Sequence, residues 1–161
     1  MAVAFGDQAI AIHHIGSTCI PDVPAKPIID ILIEVHDIET VDHLNEQMRS
    51  LGYEPRGELG IAGRRYFRKR NDGEHTRHVH VFQTGHAEVE RHLSFRDFLI
   101  AHPEEAQAYG RLKGMLASQF AEDRGRYTEA KSGFIEEMVR RARAWKASTN
   151  ALATGDPQGP P

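Results

Sequence analysis

From Ala9 to Gln83 the chain alternates short apolar runs with turn-forming clusters, and from Ala87 onward the spacing becomes helical. Ala9 to Ile15 predicts a short strand, Gly16-Ser17-Thr18 the turn that leaves it, and Pro21, Pro24 and Pro27 a stiff link. Ile28 to Val35 is apolar except for Asp30 and Glu34, the pattern of a central strand covered on both faces. Ile38, Val41, Leu44, Met48 and Leu51 fall at three-and-four spacing. They predict a helix that buries Val41, Leu44 and Met48 and stops at Gly52. Ile61 to Arg70 and Thr76 to Gln83 flank Asn71-Asp72-Gly73 and predict an antiparallel hairpin. Helices are expected over Ala87 to Ala101, Pro103 to Ala121 and Thr128 to Ala147. Strands first and helices afterwards suit an α+β fold, a mixed β-sheet with a helical C-terminal layer.

At 161 residues and 40% hydrophobic, the chain suits one domain, expected over residues 1–147. The Gly- and Pro-rich end, residues 148–161, is expected to be a disordered tail. A net charge of -3 disfavours an overall basic nucleic-acid binder. A local basic patch nevertheless runs through Arg64, Arg65, Arg68, Lys69 and Arg70. A solvated basic hairpin is its first reading and contact with a nucleotide or RNA backbone its second. The single Cys19 rules out an intrachain disulfide and a multi-cysteine zinc site. No run approaches the ~20 apolar residues of a membrane helix, and the N-terminus lacks signal-peptide character, so a cytoplasmic protein with no membrane partner is expected.

Asp30 is the residue that most needs a chemical reason, because a carboxylate inside an apolar strand needs a cation, a donor or an opening to solvent. His78 and His80, two residues apart, share one face of their strand. Imidazole with carboxylate suits zinc or manganese better than magnesium, so Asp30, His78 and His80 are candidate ligands of a divalent metal. The bland alternative is ordinary hydrogen bonding. Gly16, Ser17, Thr18 and Lys26 are candidate phosphate-binding residues, from the turn's donors and a nearby cation.

The sequence resembles the GrpB-like family. The resemblance rests on His14 to Thr18 (HIGST), Ala25 to Pro27 (AKP), Ile28 to Ile31 (IIDI), His78-Val79-His80, Phe95 to Leu99 with His102-Pro103-Glu104, Tyr109 with Lys113, and Tyr127 with Lys131. It implies a nucleotidyltransferase-like fold, in which a Gly-Ser turn faces a nucleotide phosphate and two carboxylates two residues apart hold magnesium. Asp30 matches the first carboxylate, and as such is the catalytic candidate; Leu32 stands at the second position. Glu34 shares the face but lies roughly 13 Å further along an extended strand. Arg96 matches a family motif position and is expected to neutralise phosphate, or else to join a helical ion-pair network. Asp22 stands where the family commonly has Gly. Two functions follow: a metal-dependent nucleotidyltransferase-like enzyme with magnesium, manganese or zinc, or a non-catalytic module that binds a nucleotide or phosphorylated small molecule. Burial of Asp30 as a structural acid, paired with Lys26, Arg96 or a backbone amide, is the competing structural account.

Overall fold

The computed structural model describes residues 2–153. Its strands are Ala9–Ile15 (β1), Ile29–Val35 (β2), Tyr53–Pro55 (β3), Arg64–Asn71 (β4) and Glu74–Gln83 (β5). They form one five-stranded sheet in the order β1-β2-β5-β4-β3. Its helices are Ala2–Phe5 (α1), Asn45–Ser50 (α2), Ala87–Ala101 (α3), Pro103–Gln119 (α4) and Arg124–Ala153 (α5). The sheet is mixed: β2 runs parallel to β5 and every other pairing is antiparallel. A parallel pair needs a long crossover, and the segment from Ile38 to Asn71 supplies it.

Several boundaries differ from the pattern-based expectation. The single helix expected over Ile38 to Leu51 is a 3-10 stretch, Glu39–Leu44, followed by the short α2. Both sit on the expected face: Val41 and Met48 are fully buried, whereas Leu44 is only partly so. Gly52 ends the segment at φ 81°, as a left-handed stop requires. Short β3 escaped notice because three residues show no periodicity. The hairpin begins at Arg64 rather than Ile61, since residues 57, 59, 60 and 63 all take positive φ and cannot lie in a strand. Asp22 takes φ 60°, which explains why glycine suits that position; a short polar side chain is among the few that tolerate it.

The chain divides into two compact units, Met1–Leu93 and Ser94–Pro161. The physical reason is that each half has its own core. In the first, one sheet face (Ile33, Val35, Tyr53, Phe67, Val79 and Val81) is covered by Phe5, Ile38, Val41 and Met48. The opposite face holds a smaller apolar cluster of Ile15, Leu32, Phe82 and Val89. In the second unit the helices bury their apolar stripes against each other: Phe95 meets Tyr109 edge-on, Tyr109 stacks on Phe134, and Phe98 meets Trp145. Leu99, Leu116, Met138, Val139 and Ala142 complete that core. Helix α5 runs through Ser148 to Ala153, so the expected disordered tail starts too early; those six residues, STNALA, contain no Gly or Pro. The rest of the tail, 154–161, lies outside the described residues.

Candidate functional site

The polar seam on the second sheet face is written into the strand register. Alternation sends Asp30, Leu32 and Glu34 of β2 to one side. Parallel pairing sets Asp30 beside His78, Leu32 beside His80 and Glu34 beside Phe82. From β4, Arg68, Tyr66 and Arg64 lie opposite His78, His80 and Phe82. From β1, Ile15 and His13 lie opposite Asp30 and Leu32. Two rows across the sheet therefore read Ile15-Asp30-His78-Arg68 and His13-Leu32-His80-Tyr66.

Asp30 and His78 are joined directly: His78 Nδ1 is 3.0 Å from Asp30 Oδ1. An ionised carboxylate only accepts, so Nδ1 carries the proton and Nε2 presents a lone pair. The turn after β1 closes on the same acid. At Gly16, φ is 75° and an added Cβ would stand 2.5 Å from Asp30 Oδ2. Glycine is required here by the Asp30 side chain itself, in addition to any ligand. Within the turn, the Cys19 thiol donates to the Gly16 carbonyl at 2.9 Å, and His14 Nε2 lies 2.8 Å from the Thr18 hydroxyl. Ser17 is half-buried, and its hydroxyl has no hydrogen bond among the described residues; Lys26, on the Pro-rich link, is exposed and makes no ion pair there.

His80 is held in the opposite tautomer. Its Nδ1 lies 3.5 Å from Arg64 Nη1, and a guanidinium only donates, so Nδ1 is the acceptor and Nε2 carries the proton. The Tyr66 ring bridges the two imidazoles, 5.7 Å from His78 and 5.1 Å from His80 between centroids. His92 of α3 comes within 5.5 Å of His80, ring to ring, and lies 3.8 Å from Glu88, which also binds Arg91. Burial, reinforced by His92, holds the His80 imidazole far below its ordinary value, at about 3. Burial likewise lowers His92. One imidazole of the seam thus offers a lone pair and its neighbour an N–H.

These depressed histidines set an acid limit on stability. The unfolded chain binds a proton at His80 near pH 6.5, while the folded protein does so only near pH 3. The His80 contribution is therefore complete above pH 6.5 and is lost progressively as pH falls towards 3. Urea unfolding from pH 7 to pH 4 should show a smaller stability loss in His80→Gln than in the wild type. Parallel curves for the two proteins would contradict the neutral assignment.

The expected site residues are only partly gathered. Asp30, His78 and the Gly16 turn form one cluster, and His80 follows along the same face. Among the described residues, however, no group of three or more His, Cys, Asp and Glu side chains is placed to hold a metal ion. Asp30 and His78 engage each other, His80 turns Nδ1 to a cation, and Leu32 is fully buried where a second carboxylate would stand. The residues present therefore do not fit a preformed metal centre. Arg96 belongs to the second unit, where it pairs with Asp97 at 2.7 Å.

The basic patch is only partly a solvated hairpin. Arg65 binds Asp42 at 2.8 Å and Arg68 binds Glu54 at 2.6 Å. Lys69 donates to the Leu51 carbonyl at 2.8 Å, and Arg64 is buried. Acids on the neighbouring segments, invisible to a local reading, neutralise Arg65 and Arg68, while Arg70 at the end of the strand is exposed. Conversely, the pattern gave no role to His92, and Tyr66 figured only as an aromatic on one face of the basic patch. The only local hints were Tyr66 alternating with the arginines and Glu88-His92 at helical i, i+4 spacing.

Fold and face together define a mixed α+β protein with a histidine-carboxylate seam on one side of its sheet. The model of the GrpB protein family matches residues 1–141, and the chain belongs to that family. It is 49% identical to the UPF0157 protein YqkA of Bacillus subtilis over 93% of this chain. That alignment spans only 43% of the Bacillus protein. It is 34% identical to the glutamate-rich protein GrpB of Alkalihalophilus pseudofirmus, covering 83% of this chain and 79% of that one. The crystal structure of the conserved protein GrpB from Enterococcus faecalis superposes with a TM-score of 0.83 at 38% identity, over 89% of this chain and 87% of that one. No described helix is long and apolar enough to cross a membrane.

Proposed function

We propose that this chain binds a nucleotide or another phosphorylated small molecule on the polar face of its first unit, without a two-metal transfer centre. The observation that carries this reading is the single cluster made by the Gly16-Ser17-Thr18 turn, Asp30 and His78. The turn offers the Ser17 hydroxyl, and Lys26 on the following link offers an exposed ammonium; together they suit a phosphate oxygen. His78 Nε2, kept as a lone pair by Asp30, accepts a hydrogen bond from a ligand hydroxyl or N–H. The buried Leu32 favours binding over transfer, since a two-metal clamp needs a second carboxylate there.

Calorimetric titration with adenosine triphosphate, with and without magnesium, tests the reading. Binding without magnesium is expected, weakened about tenfold in a Ser17→Ala, Lys26→Ala double variant. Binding that appears only with magnesium and vanishes in folded Asp30→Asn protein would favour the transferase-like alternative instead. No binding of this nucleotide, of inorganic phosphate or of pyrophosphate would overturn both.

A further inference from the structure

The helical unit carries one pairing twice: Tyr109 with Lys113 on α4, and Tyr127 with Lys131 on α5. In each, the lysine stands four residues after the tyrosine, the spacing that puts both on one face of a helix. The contacts follow from it. Lys113 Nζ lies over the Tyr109 ring, 5.5 Å from its centroid, and Lys131 Nζ over the Tyr127 ring at 5.0 Å. Both lysines are half-buried.

The hairpin of α4 and α5 sets the two pairs against each other. Four residues, 120–123, separate the helices, a connection short enough to make them antiparallel neighbours. Tyr109 stacks on Phe134 with ring centroids 5.7 Å apart, and that contact fixes the register. Towards the connection, Lys113 lies four residues on from Tyr109, about 6 Å along α4, and Lys131 three residues back from Phe134, about 4.5 Å along α5. The two lysines therefore share one layer of the hairpin. That layer interrupts an apolar stripe, in which buried Tyr109 and Leu116 flank Lys113 on α4 while Phe134 and buried Met138 continue from Lys131 on α5.

Two ammoniums in one layer repel each other. No residue three or four positions from either lysine is acidic, whereas Arg126, Arg140 and Arg141 of α5 each have a carboxylate, from Asp123, Glu137 and Glu105. An aromatic face attracts an ammonium without cancelling its charge. What the two rings supply is position, since each holds the head of its own lysine and lowers the cost of ordering it for a ligand. We infer that Lys113 and Lys131 form a paired-ammonium site on the helical unit for a phosphate group, free or borne by a small molecule. The site goes beyond the seam reading and uses none of the seam's residues. Lysine binds phosphate as a point charge, and each ammonium has three N–H donors. A phosphate monoester carries about 1.5 to 2 negative charges at pH 7, a match for two ammoniums that a single carboxylate lacks.

Inorganic phosphate and adenosine monophosphate, titrated calorimetrically into the full chain, test the pair, and the tighter of the two names the source of the phosphate. Lys113→Gln and Lys131→Gln should each weaken binding about tenfold, and the double variant should abolish the lysine-dependent part. Glutamine keeps helix propensity, and circular dichroism checks that each variant folds; if the double variant does not, the single variants decide. Arg143→Gln with Lys146→Gln, which removes two exposed charges of the same helix, should leave the affinity within about twofold. Affinity for both anions unchanged in the folded lysine variants, or weakened as much by the control, overturns the pair. Binding lost in the Ser17→Ala, Lys26→Ala variant but kept in the lysine variants overturns the pair and leaves the seam reading standing. The reverse result supports the pair and counts against the seam. Absence of wild-type binding to either anion overturns the pair outright.

Discussion

Leu32→Asp should destabilise the protein by about 3–5 kcal/mol, the range for leaving a charge buried without a partner, and lower the melting temperature by about 10 °C. Leu32 is fully buried on the seam face, packed among Ile15, Phe82 and Val89, with Ile61 and Leu93 alongside. The substitution removes those apolar contacts and puts a carboxylate in their place. Asp30 cannot help, because a like charge two residues along the same face adds repulsion. Leu32→Ala is the control: it loses the packing without adding the charge, and should cost less than Leu32→Asp at pH 7. The difference should shrink as pH falls and the new carboxyl is protonated. Urea unfolding of both variants, with a magnesium titration of the folded protein, decides the matter. A stable Leu32→Asp protein that gains tight magnesium binding would mean that this face opens and that a two-carboxylate clamp can be rebuilt.

Gly16→Ala should be the most damaging single-methyl change on the seam, at about 2–4 kcal/mol. Two effects combine. At φ 75° an L side chain is strained by roughly 1 kcal/mol. The added Cβ would also stand 2.5 Å from Asp30 Oδ2 and 3.0 Å from its Cβ, and overpacking of this kind costs about 1–3 kcal/mol. Asp30 cannot swing aside freely, since His78 holds its other oxygen. A double-mutant cycle with Asp30→Ser separates the effects: the backbone strain should persist in the Ser background while most of the clash disappears. Equal costs in the two backgrounds would show that Asp30 is not what excludes a side chain at Gly16. Displacing Asp30 also frees the His78 tautomer, so nucleotide binding should weaken in the folded Gly16→Ala protein.

The two predictions turn on the same strand, and that strand shows how far local pattern reaches. Asp30 stood out because it interrupts an apolar run, and its neighbourhood with His78 followed from alternation once the two strands were paired. The family resemblance, the order of strands and helices and the polar identity of the seam were all legible, because periodicity and turn chemistry are properties of neighbouring residues. The 3-10 stretch at Glu39–Leu44 was less so, since apolar spacing alone does not distinguish a tight helix from an ordinary one over two turns.

What the sequence by itself determined is the set of faces: which residues of β2, β4 and β5 point together, and that Asp30 needs a polar partner. Only the tertiary structure decided the pairings. The register brought His78 rather than a metal set to Asp30 and gave Arg65 and Arg68 their acids from distant segments. It left Arg64 buried against carbonyls and turned His78 and His80 to opposite tautomers. The physical reason is that alternation acts within a strand, whereas charge compensation, burial and tautomer depend on groups brought together across the sheet from far along the chain.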